Sequence, residues 1–323
     1  MQTRQLGSLW PVSALTLGGG GIGQVWGETS REEAVETVRL AVDRGITLLD
    51  LAPGYGRGEA ESVVGEAFGG RLPPGVRVTT KCQLGSPRAD AIEATIRRRL
   101  QRSLEALRSD QVDLLFLHSN IIPDDYVYPE PDLQDRFATR WTLYRERVIP
   151  AFEALRAEGL IGAWGITGVG LPATIRDALI TEPRPAAVQC VANCLDSAGD
   201  MQRFPEPAEP RTLIAAAARS GVGVMGIRAV QAGALTDAFD RELSQGQDLA
   251  DYHRAAGFRD LAGRWGLTPA RLAHRYALSM PQVDTVVLGV KNRQELRECL
   301  AAETDGPLSA GEMADVESAC ALA

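Results

Sequence analysis

Val76-Arg77-Val78-Thr79-Thr80-Lys81 is followed by a helical segment at 89–107 and by a second apolar run, Val112-Asp113-Leu114-Leu115-Phe116-Leu117-His118. Within the helical segment, apolar residues recur at steps of four, four, four and three: Ile92, Ile96, Leu100, Leu104 and Leu107. That spacing places them on one face of a helix, while short runs rich in Val, Thr and Leu are typical of buried strands. A strand, a helix and another strand predict a parallel pair with a helical crossover.

The same alternation extends over nearly the whole chain. Six further strands are predicted at 15–17, 47–50, 161–165, 187–191, 223–227 and 285–288. Helices are predicted from the Ser30 cap to Gly45, at 59–68, from the end of an insertion at 119–140 to residue 158, and at 171–180, 211–220 and 258–265. Two more are predicted after Thr268-Pro269 and at 293–301. Eight strands, each followed by a helix, predict a (β/α)8 TIM barrel, an α/β fold. We expect a single domain over 1–323, with a loop insertion at about 119–140, a long loop with short helical pieces at 229–257 and a C-terminal helix at about 309–321.

Length and composition narrow the class of protein. The 323 residues suit a one-domain barrel of ~250 residues plus insertions. The net charge of −8 argues against nucleic acid as a partner, since phosphate binding requires basic residues. The sequence shows neither a membrane-spanning apolar run nor a signal-peptide core, so we expect a cytoplasmic protein without a membrane partner. Five scattered cysteines indicate reduced thiols, and no metal site is predicted because Cys190 and Cys194 lack a second pair of ligands.

Three titratable side chains end three successive predicted strands. They are Asp50, Lys81 and His118, and Tyr55 follows Asp50 in the next loop. Barrel enzymes carry their active sites at the carboxyl ends of the strands, so these side chains should converge. An ammonium group lowers the pKa of a nearby phenol from its usual ~10, a carboxylate fixes the ammonium, and a histidine orients a substrate oxygen.

Each of these residues also has an ordinary structural interpretation. A strand-ending aspartate often caps a turn, a loop tyrosine often packs against its neighbours, and a lysine is often a solvated charge. Only their joint position at neighbouring strand ends favours a catalytic site, one suited to protonating a carbonyl oxygen while hydride reaches the carbon.

The residues around this site resemble the aldo-keto reductase family. Leu49-Asp50-Leu51-Ala52-Pro53-Gly54-Tyr55-Gly56, followed by Glu61 and Gly65, resembles the family signature, and Lys81 and His118 match its catalytic lysine and histidine. The runs at 162–167 and 289–298 resemble its strand-five motif and its C-terminal cofactor segment. The resemblance implies NAD(P)H bound across the barrel mouth without a Rossmann domain. It implies Tyr55 as general acid and base, tuned by Lys81 and Asp50, with His118 orienting the substrate.

The resemblance also implies two sets of binding residues. Cofactor binding is expected from Thr167, Gln189, Ile227, Arg228, Gly289, Lys291, Asn292, Arg293, Glu295, Glu298, Gly20 and Gly21. Substrate binding is expected from Trp26, Tyr55, His118 and Tyr126. The two remaining histidines, His253 and His274, lie on predicted helices and are interpreted as structural.

The chain departs from the family pattern at two cofactor positions. Thr167-Gly168 stands where the family usually has Ser-Asn, which keeps a hydroxyl but loses the second contact. Ile227-Arg228-Ala229-Val230 stands where many members have Tyr-Ser-Pro-Leu, so an aliphatic side chain would replace the stacking tyrosine. Arg228 could then reach the pyrophosphate.

The choice of coenzyme is open in the sequence. Glu295 aligns with an arginine that binds the 2′-phosphate in NADP(H)-dependent members, and a glutamate there favours NAD(H). Lys291 and Arg293 are nearby and could bind a phosphate instead. On family grounds we predict NADP(H), with NAD(H) as the alternative.

The sequence therefore predicts an oxidoreductase that interconverts an aldehyde, ketone or aldose with its alcohol. One alternative is an NAD-dependent aldose or sugar-alcohol dehydrogenase that works mainly in the oxidative direction. An alternative of another class, a nucleotide-sensing auxiliary subunit, would predict a decayed catalytic set or a long N-terminal extension. The expected partner is a small-molecule carbonyl or sugar, and the expected state is a monomer or small homo-oligomer.

Overall fold

Eight parallel strands close into a barrel in this computed structural model, which describes residues 1–237, 239 and 241–321. The strands of the described chain are β1 (Thr3–Gln5), β2 (Pro11–Ser13), β3 (Leu15–Gly18), β4 (Leu48–Asp50), β5 (Arg77–Cys82), β6 (Val112–Leu117), β7 (Asn120–Ile122), β8 (Ala138–Arg140), β9 (Ile161–Thr167), β10 (Ala187–Val191), β11 (Gly223–Ile227) and β12 (Thr285–Leu288). The barrel runs β3-β4-β5-β6-β9-β10-β11-β12 and closes where β12 pairs with β3. The predicted (β/α)8 barrel is confirmed.

Helices form the outer layer of the barrel. They are α1 (Gly19–Ile22), α2 (Arg31–Asp43), α3 (Glu59–Ala67), α4 (Ile92–Leu107), α5 (Pro131–Phe137), α6 (Trp141–Leu143), α7 (Ile149–Ala157), α8 (Pro172–Ile180), α9 (Pro210–Arg219), α10 (Gln247–Arg254), α11 (Ala256–Arg264), α12 (Pro269–Ser279), α13 (Arg293–Thr304) and α14 (Ala310–Ala321). Ser30 caps α2 by accepting a hydrogen bond from the Glu33 amide, as the sequence predicts. No helix in the described residues is long and apolar enough to cross a membrane.

The amino end of the barrel is closed by the hairpin of β1 and β2, which the sequence analysis did not predict. Leu6 and Val12 are fully or almost fully buried there, in the same cluster as Phe116 and Met225 from the barrel interior. The Gly7 amide donates to the Asp284 carboxylate just before β12 and anchors the hairpin. Because this end is plugged, the carboxyl ends of the strands are the open face of the barrel.

The segment predicted as a loop insertion at 119–140 contains regular structure. β7 and β8 pair in parallel within it, and α5 lies between them. Two hydrogen bonds connect this pair to the loop after β5. Ser86 donates to the carbonyl oxygen of Ala138, and Thr139 donates to the carbonyl oxygen of Gly85. These two short strands stand outside the alternation of strands and helices from which the barrel strands are predicted, so the sequence pattern does not indicate them. The segment therefore forms a small wall beside the open face.

Candidate active site

A cavity of about 440 Å³ opens at the carboxyl ends of the barrel strands. Asp50, Tyr55 and His118 line it, together with the glycines that follow β3. Trp26 rests against this glycine turn, since a Cβ on Gly20 would lie 2.5 Å from its indole nitrogen. The residues predicted from three successive strand ends are thus brought to one place.

Lys81 and Asp50 form a buried ion pair beside this cavity. Each is 2% exposed, and Lys81 Nζ lies 2.8 Å from Asp50 Oδ2 and 2.8 Å from the carbonyl oxygen of Leu51. Asp50 Oδ1 accepts two more hydrogen bonds, from Thr79 Oγ1 and Gln189 Nε2, each at 2.7 Å. A buried charge is tolerated when it is paired and hydrogen-bonded, and both conditions hold here.

Tyr55 begins a short 3-10 turn, and its ring lies next to the lysine. The Lys81 Nζ atom is 4.9 Å from the ring centroid. The turn presses tightly on the loop after β3, where a Cβ on Gly56, which has φ 64°, would lie 2.5 Å from the carbonyl oxygen of Gly23. Only glycine tolerates both that conformation and that contact.

The pKa of Tyr55 moves in the opposite direction from the sequence-based expectation. Burial raises it above the usual 10, and the nearby Lys81 charge and hydrogen bond offset this only in part. The expected net lowering by the ammonium is therefore wrong for this environment, because desolvation of the phenolate outweighs its attraction to Lys81. The phenol consequently holds its proton throughout the neutral range.

The ammonium of Lys81 stays charged although it is buried. Burial acts to lower the pKa of Lys81, but attraction to Asp50, and then to Tyr55, outweighs burial and raises it. His118 shows the reverse balance. Burial, followed by repulsion from Lys81, lowers the pKa of His118 to about 4. The site therefore presents a fixed positive charge, a protonated phenol and a neutral imidazole.

Most of the residues predicted for cofactor binding line the same cavity. They are Gly20, Thr167, Gln189, Ile227, Arg228, Gly289, Lys291, Glu295 and Glu298. Three others do not line it. Gly21 packs on the backbone of Val290, Asn292 caps α13, and Arg293 pairs with Glu33 at 2.7 Å. The roles predicted for these residues stay predictions.

The surroundings of Thr167 and Gly168 show what these two residues contribute in place of the Ser-Asn pair. Thr167 Oγ1 is buried and has no hydrogen-bond partner among the described residues, and Thr167 lines the cavity. A Cβ on Gly168 would lie 2.8 Å from Cys190 Sγ and 2.8 Å from the carbonyl oxygen of Gln189. A side chain does not fit there without a shift of the backbone, whereas the threonine keeps one buried hydroxyl that the described residues leave unsatisfied.

The cations predicted to contact phosphate already have carboxylate partners. Lys291 Nζ lies 2.6 Å from Glu295, whose other oxygen accepts from the Lys291 amide at 2.8 Å. Arg228 forms a buried ion pair with Asp248 and also donates to Gln231. Its guanidinium lies in the cavity wall but also holds the segment after β11 in place.

The predicted substrate residues are divided by the structure. Trp26 lines the cavity with Tyr55 and His118. Tyr126 lies outside the cavity lining, where its hydroxyl donates to Glu206 at 2.9 Å and its ring packs on Tyr128. Met201, which the sequence analysis did not select, lines the cavity instead.

One end of the cavity is formed by helices rather than by strand ends. Thr268, Ala270 and His274 from the start of α12 and Cys299 from α13 line it. His274 is 4% exposed, and its ring lies 3.5 Å from Cys299 Sγ. Its burial agrees with the prediction that it is structural, but the sequence analysis did not place it at the cavity. In sequence, the only available signal is a histidine one turn into a helix capped by Thr268.

Within the described residues, no three His, Cys, Asp or Glu side chains are grouped so that they could hold a metal ion. The arrangement at the cavity is instead one for proton transfer, because a protonated phenol, a buried ammonium and a neutral imidazole meet there.

Comparison with known proteins identifies a family and individual relatives that match most of the chain. The sequence model of the Aldo/keto reductase family matches residues 14–321. L-galactose dehydrogenase from Arabidopsis thaliana is 26% identical over 91% of this chain and 85% of its own length. D-threo-aldose 1-dehydrogenase from a Pseudomonas species is 26% identical over 69% of this chain and 68% of its own.

Solved structures share the fold. A glycerol dehydrogenase from Gluconobacter oxydans superimposes with a TM-score of 0.70 and 23% identity, covering 99% of this chain and 95% of that one. An aldo/keto reductase from Klebsiella pneumoniae in complex with NADP and acetate gives a TM-score of 0.69 and 23% identity, covering 98% and 94%.

Proposed function

Because this chain belongs to the aldo/keto reductase family, we propose that it interconverts a carbonyl group and an alcohol with a nicotinamide dinucleotide, using Tyr55 as proton donor and acceptor. The observation that carries the proposal is the meeting of Tyr55, His118 and the Lys81–Asp50 ion pair at one cavity. The chain is an oxidoreductase of this family. The identity of its catalytic and binding residues is our proposal.

The cavity has groups that fit a nicotinamide. The Thr167 hydroxyl, which has no hydrogen-bond partner among the described residues, is our candidate to bind the carboxamide after a rotation of its side chain. Gln189 donates one of its two amide hydrogens to Asp50, and its side-chain oxygen can accept a hydrogen bond from the carboxamide. Ile227 offers an aliphatic surface to one ring face, as the sequence predicts. When bound, the reduced nicotinamide supplies a hydride to the carbonyl carbon.

In the reducing direction, the protein residues act on the substrate oxygen. His118, neutral because its pKa is lowered to about 4 by burial, donates one N–H hydrogen bond and orients that oxygen. Tyr55 carries its proton at neutral pH and gives it to the oxygen as negative charge develops there. Lys81 then stabilises the phenolate that remains, and Asp50 holds Lys81 charged and in place.

In the oxidising direction, the phenolate of Tyr55 accepts the proton from the alcohol. Burial makes this phenolate scarce near pH 7, because it raises the pKa of Tyr55. Attraction to the Lys81 ammonium is what makes the phenolate accessible at all. The same four residues therefore serve both directions, and oxidation should gain more from alkaline conditions.

The coenzyme is either NADP(H) or NAD(H), and the two are distinguished at the Lys291–Glu295 ion pair. On family grounds we propose NADP(H). A 2′-phosphate that uses Lys291 must first displace the Glu295 carboxylate, which lies 2.6 Å from the lysine nitrogen. A ribose 2′-hydroxyl can instead donate to Glu295 without breaking the pair. This contact makes NAD(H) the specific second candidate.

For the substrate, we propose an aldehyde, ketone or aldose. Two relatives favour the oxidative alternative, since L-galactose dehydrogenase and D-threo-aldose 1-dehydrogenase are both named for aldose oxidation. We therefore keep an NAD-dependent aldose dehydrogenase as the second candidate function. The cytoplasmic location and the monomer or small homo-oligomer are proposals that rest on the sequence alone.

The test is a screen of aldehydes, ketones, aldoses and sugar alcohols with both coenzymes, followed by absorbance of the reduced nicotinamide, on the native chain and on Tyr55→Phe. We expect turnover by the native chain and a loss of about 10²–10⁴-fold in Tyr55→Phe, the usual contribution of general acid–base catalysis. The variant should still quench its fluorescence on coenzyme binding. Equal turnover by both proteins would refute the role of Tyr55, and coenzyme binding without any turnover would favour the nucleotide-sensing alternative.

A further inference from the structure

Two cysteines far apart in sequence meet on the side of the barrel. Cys194 lies in the loop after β10, and Cys320 lies in α14. Both are buried, at 7% and 2% exposure, and their Sγ atoms are 2.6 Å apart. A disulfide bond is ~2.05 Å long, so the two sulfur atoms are within about half an ångström of bonding distance.

The elements that carry these cysteines are held together by a second, independent contact. Arg211 in α9 donates to Asp196 at 2.7 Å, and it also donates to Glu317 at 2.9 Å. Asp196 is two residues beyond Cys194, and Glu317 is three residues before Cys320, on the same face of α14. Arg211 therefore fixes both segments relative to each other.

The loop around Cys194 is also ordered from within. The Asn193 side-chain oxygen accepts from the amides of Leu195 and Ser197, at 3.1 and 3.3 Å. Arg254 donates to the carbonyl oxygen of Leu195 at 2.6 Å. The loop backbone is thus held on both sides of Cys194, and its Sγ atom stays beside that of Cys320.

We propose that Cys194 and Cys320 are a site of oxidative modification, where a peroxide converts the two thiols into a disulfide that fastens α14 to the loop after β10. With a peroxide, one thiolate attacks an oxygen atom and becomes a sulfenic acid as water leaves. The second thiol then attacks that sulfur, the S–S bond forms and a second water leaves. Two thiols are oxidised and one peroxide is reduced to two waters.

The reaction is slow in the folded protein. Burial, and then the hydrogen bond with Cys320, raise the pKa of the Cys194 thiol well above its usual range. Since the thiolate is the nucleophile, little of it is present near neutral pH. Oxidation should therefore need excess oxidant and a time of minutes to hours.

The full chain is reduced, freed of reductant and treated with hydrogen peroxide. It is then denatured, its free thiols are alkylated and its intact mass is measured. We expect two of the five thiols to be lost, and an unreduced digest to contain the Cys194 peptide joined to the Cys320 peptide. Cys82, Cys190 and Cys299 should stay reduced during oxidation, so they should be alkylated afterwards and serve as internal controls. Cys194→Ser and Cys320→Ser should each retain all four of their thiols.

A second measurement reports on the fastening of α14. A bond that closes a long loop restricts the unfolded chain, so the thermal midpoint of the oxidised native protein should rise by roughly 5 °C or more, and not in either serine variant. Neither cysteine lines the catalytic cavity, so turnover should be the same before and after oxidation. Five thiols still free after excess oxidant, a cross-link between another pair, or an unchanged midpoint after cross-linking would overturn the proposal.

Discussion

Removal of the Lys81 ammonium provides a quantitative test of the buried ion pair. Lys81→Met keeps the aliphatic stem but leaves the Asp50 carboxylate buried without its cation. Asp50 Oδ1 retains its hydrogen bonds from Thr79 and Gln189, while Oδ2 loses the 2.8 Å contact with Nζ. Breaking a buried pair in this way typically costs about 3–5 kcal/mol.

The cost has a ceiling, because the stranded carboxylate can take up a proton instead of staying charged. Protonating a carboxyl group of ordinary acidity takes about 4 kcal/mol at pH 7 and about 2 kcal/mol at pH 5.5. We therefore expect Lys81→Met to lower the free energy of unfolding by about 3–4 kcal/mol at pH 7. At pH 5.5 the loss should be about 2 kcal/mol, since protonation is easier at lower pH.

The matched control is the double variant Lys81→Met/Asp50→Asn. Asparagine keeps an oxygen that can accept from Thr79 and Gln189 but carries no charge. The double variant should therefore recover about 2–3 kcal/mol relative to Lys81→Met, a coupling within the range for contacting groups. Urea unfolding at both pH values gives the free energies.

Activity separates a catalytic from a purely structural ion pair. Lys81→Met and the double variant should both lose carbonyl reduction by about 100-fold or more, since neither can stabilise the Tyr55 phenolate. A loss of stability below 1 kcal/mol in Lys81→Met, or no recovery in the double variant, would refute the energetic reasoning. Recovery of both stability and activity in the double variant would refute the role of the charge in catalysis.

Three further predictions concern the coenzyme pocket and the pH dependence. Thr167→Val should weaken coenzyme binding about 3–10-fold, as measured by fluorescence quenching, without lowering the thermal midpoint, because the lost hydroxyl has no partner in the part of the chain that the structure describes. A falling midpoint with unchanged binding would contradict this. Glu295→Arg should shift the ratio of kcat/KM for NADP(H) to kcat/KM for NAD(H) toward NADP(H) by about 10-fold or more, since a carboxylate is replaced by a phosphate ligand. Glu295→Gln should be intermediate. No shift would mean that the ribose 2′-position of the coenzyme lies elsewhere. The rate of carbonyl reduction should be constant from about pH 6 to pH 9, because burial lowers the pKa of His118 to about 4 and raises that of Tyr55 above 10. The rate of alcohol oxidation should rise with pH as the Tyr55 phenolate forms. A tenfold fall in the reduction rate between pH 7 and pH 9 would exclude Tyr55 as the proton donor.

The sequence contains enough information to predict where the side chains of the proposed catalytic site meet. Asp50 and His118 end or follow parallel strands, and Lys81 is one residue from the end of β5. The closing of parallel strands into a barrel therefore brings them together whatever the loops do. The direction of the Tyr55 pKa could not be predicted in the same way. It depends on the balance between burial and the opposing charges of Lys81 and Asp50, and burial is a property of the packed protein.

The N-terminal hairpin escaped prediction for a related reason. β1 and β2 each have three residues, and only the contacts of Leu6 and Val12 with the barrel interior give them a defined place. An isolated hairpin of this length is marginal in water. Its structure is thus a consequence of the barrel it plugs, and the local sequence does not specify it.

His274 shows where the pattern-based reasoning reaches its limit. Apolar periodicity identifies the inward face of α12, and a histidine on that face is usually a buried residue with its hydrogen bond satisfied. The structure agrees on burial and on the hydrogen bond to Ala270 O, 2.8 Å away. It adds that the space beyond this face, between α12 and α13, belongs to the cavity. Periodicity reports which side of a helix faces inward but not whether the interior there is filled. For that reason the strand-end residues of a barrel site can be named from sequence, while those contributed by its outer helices emerge only from the packing.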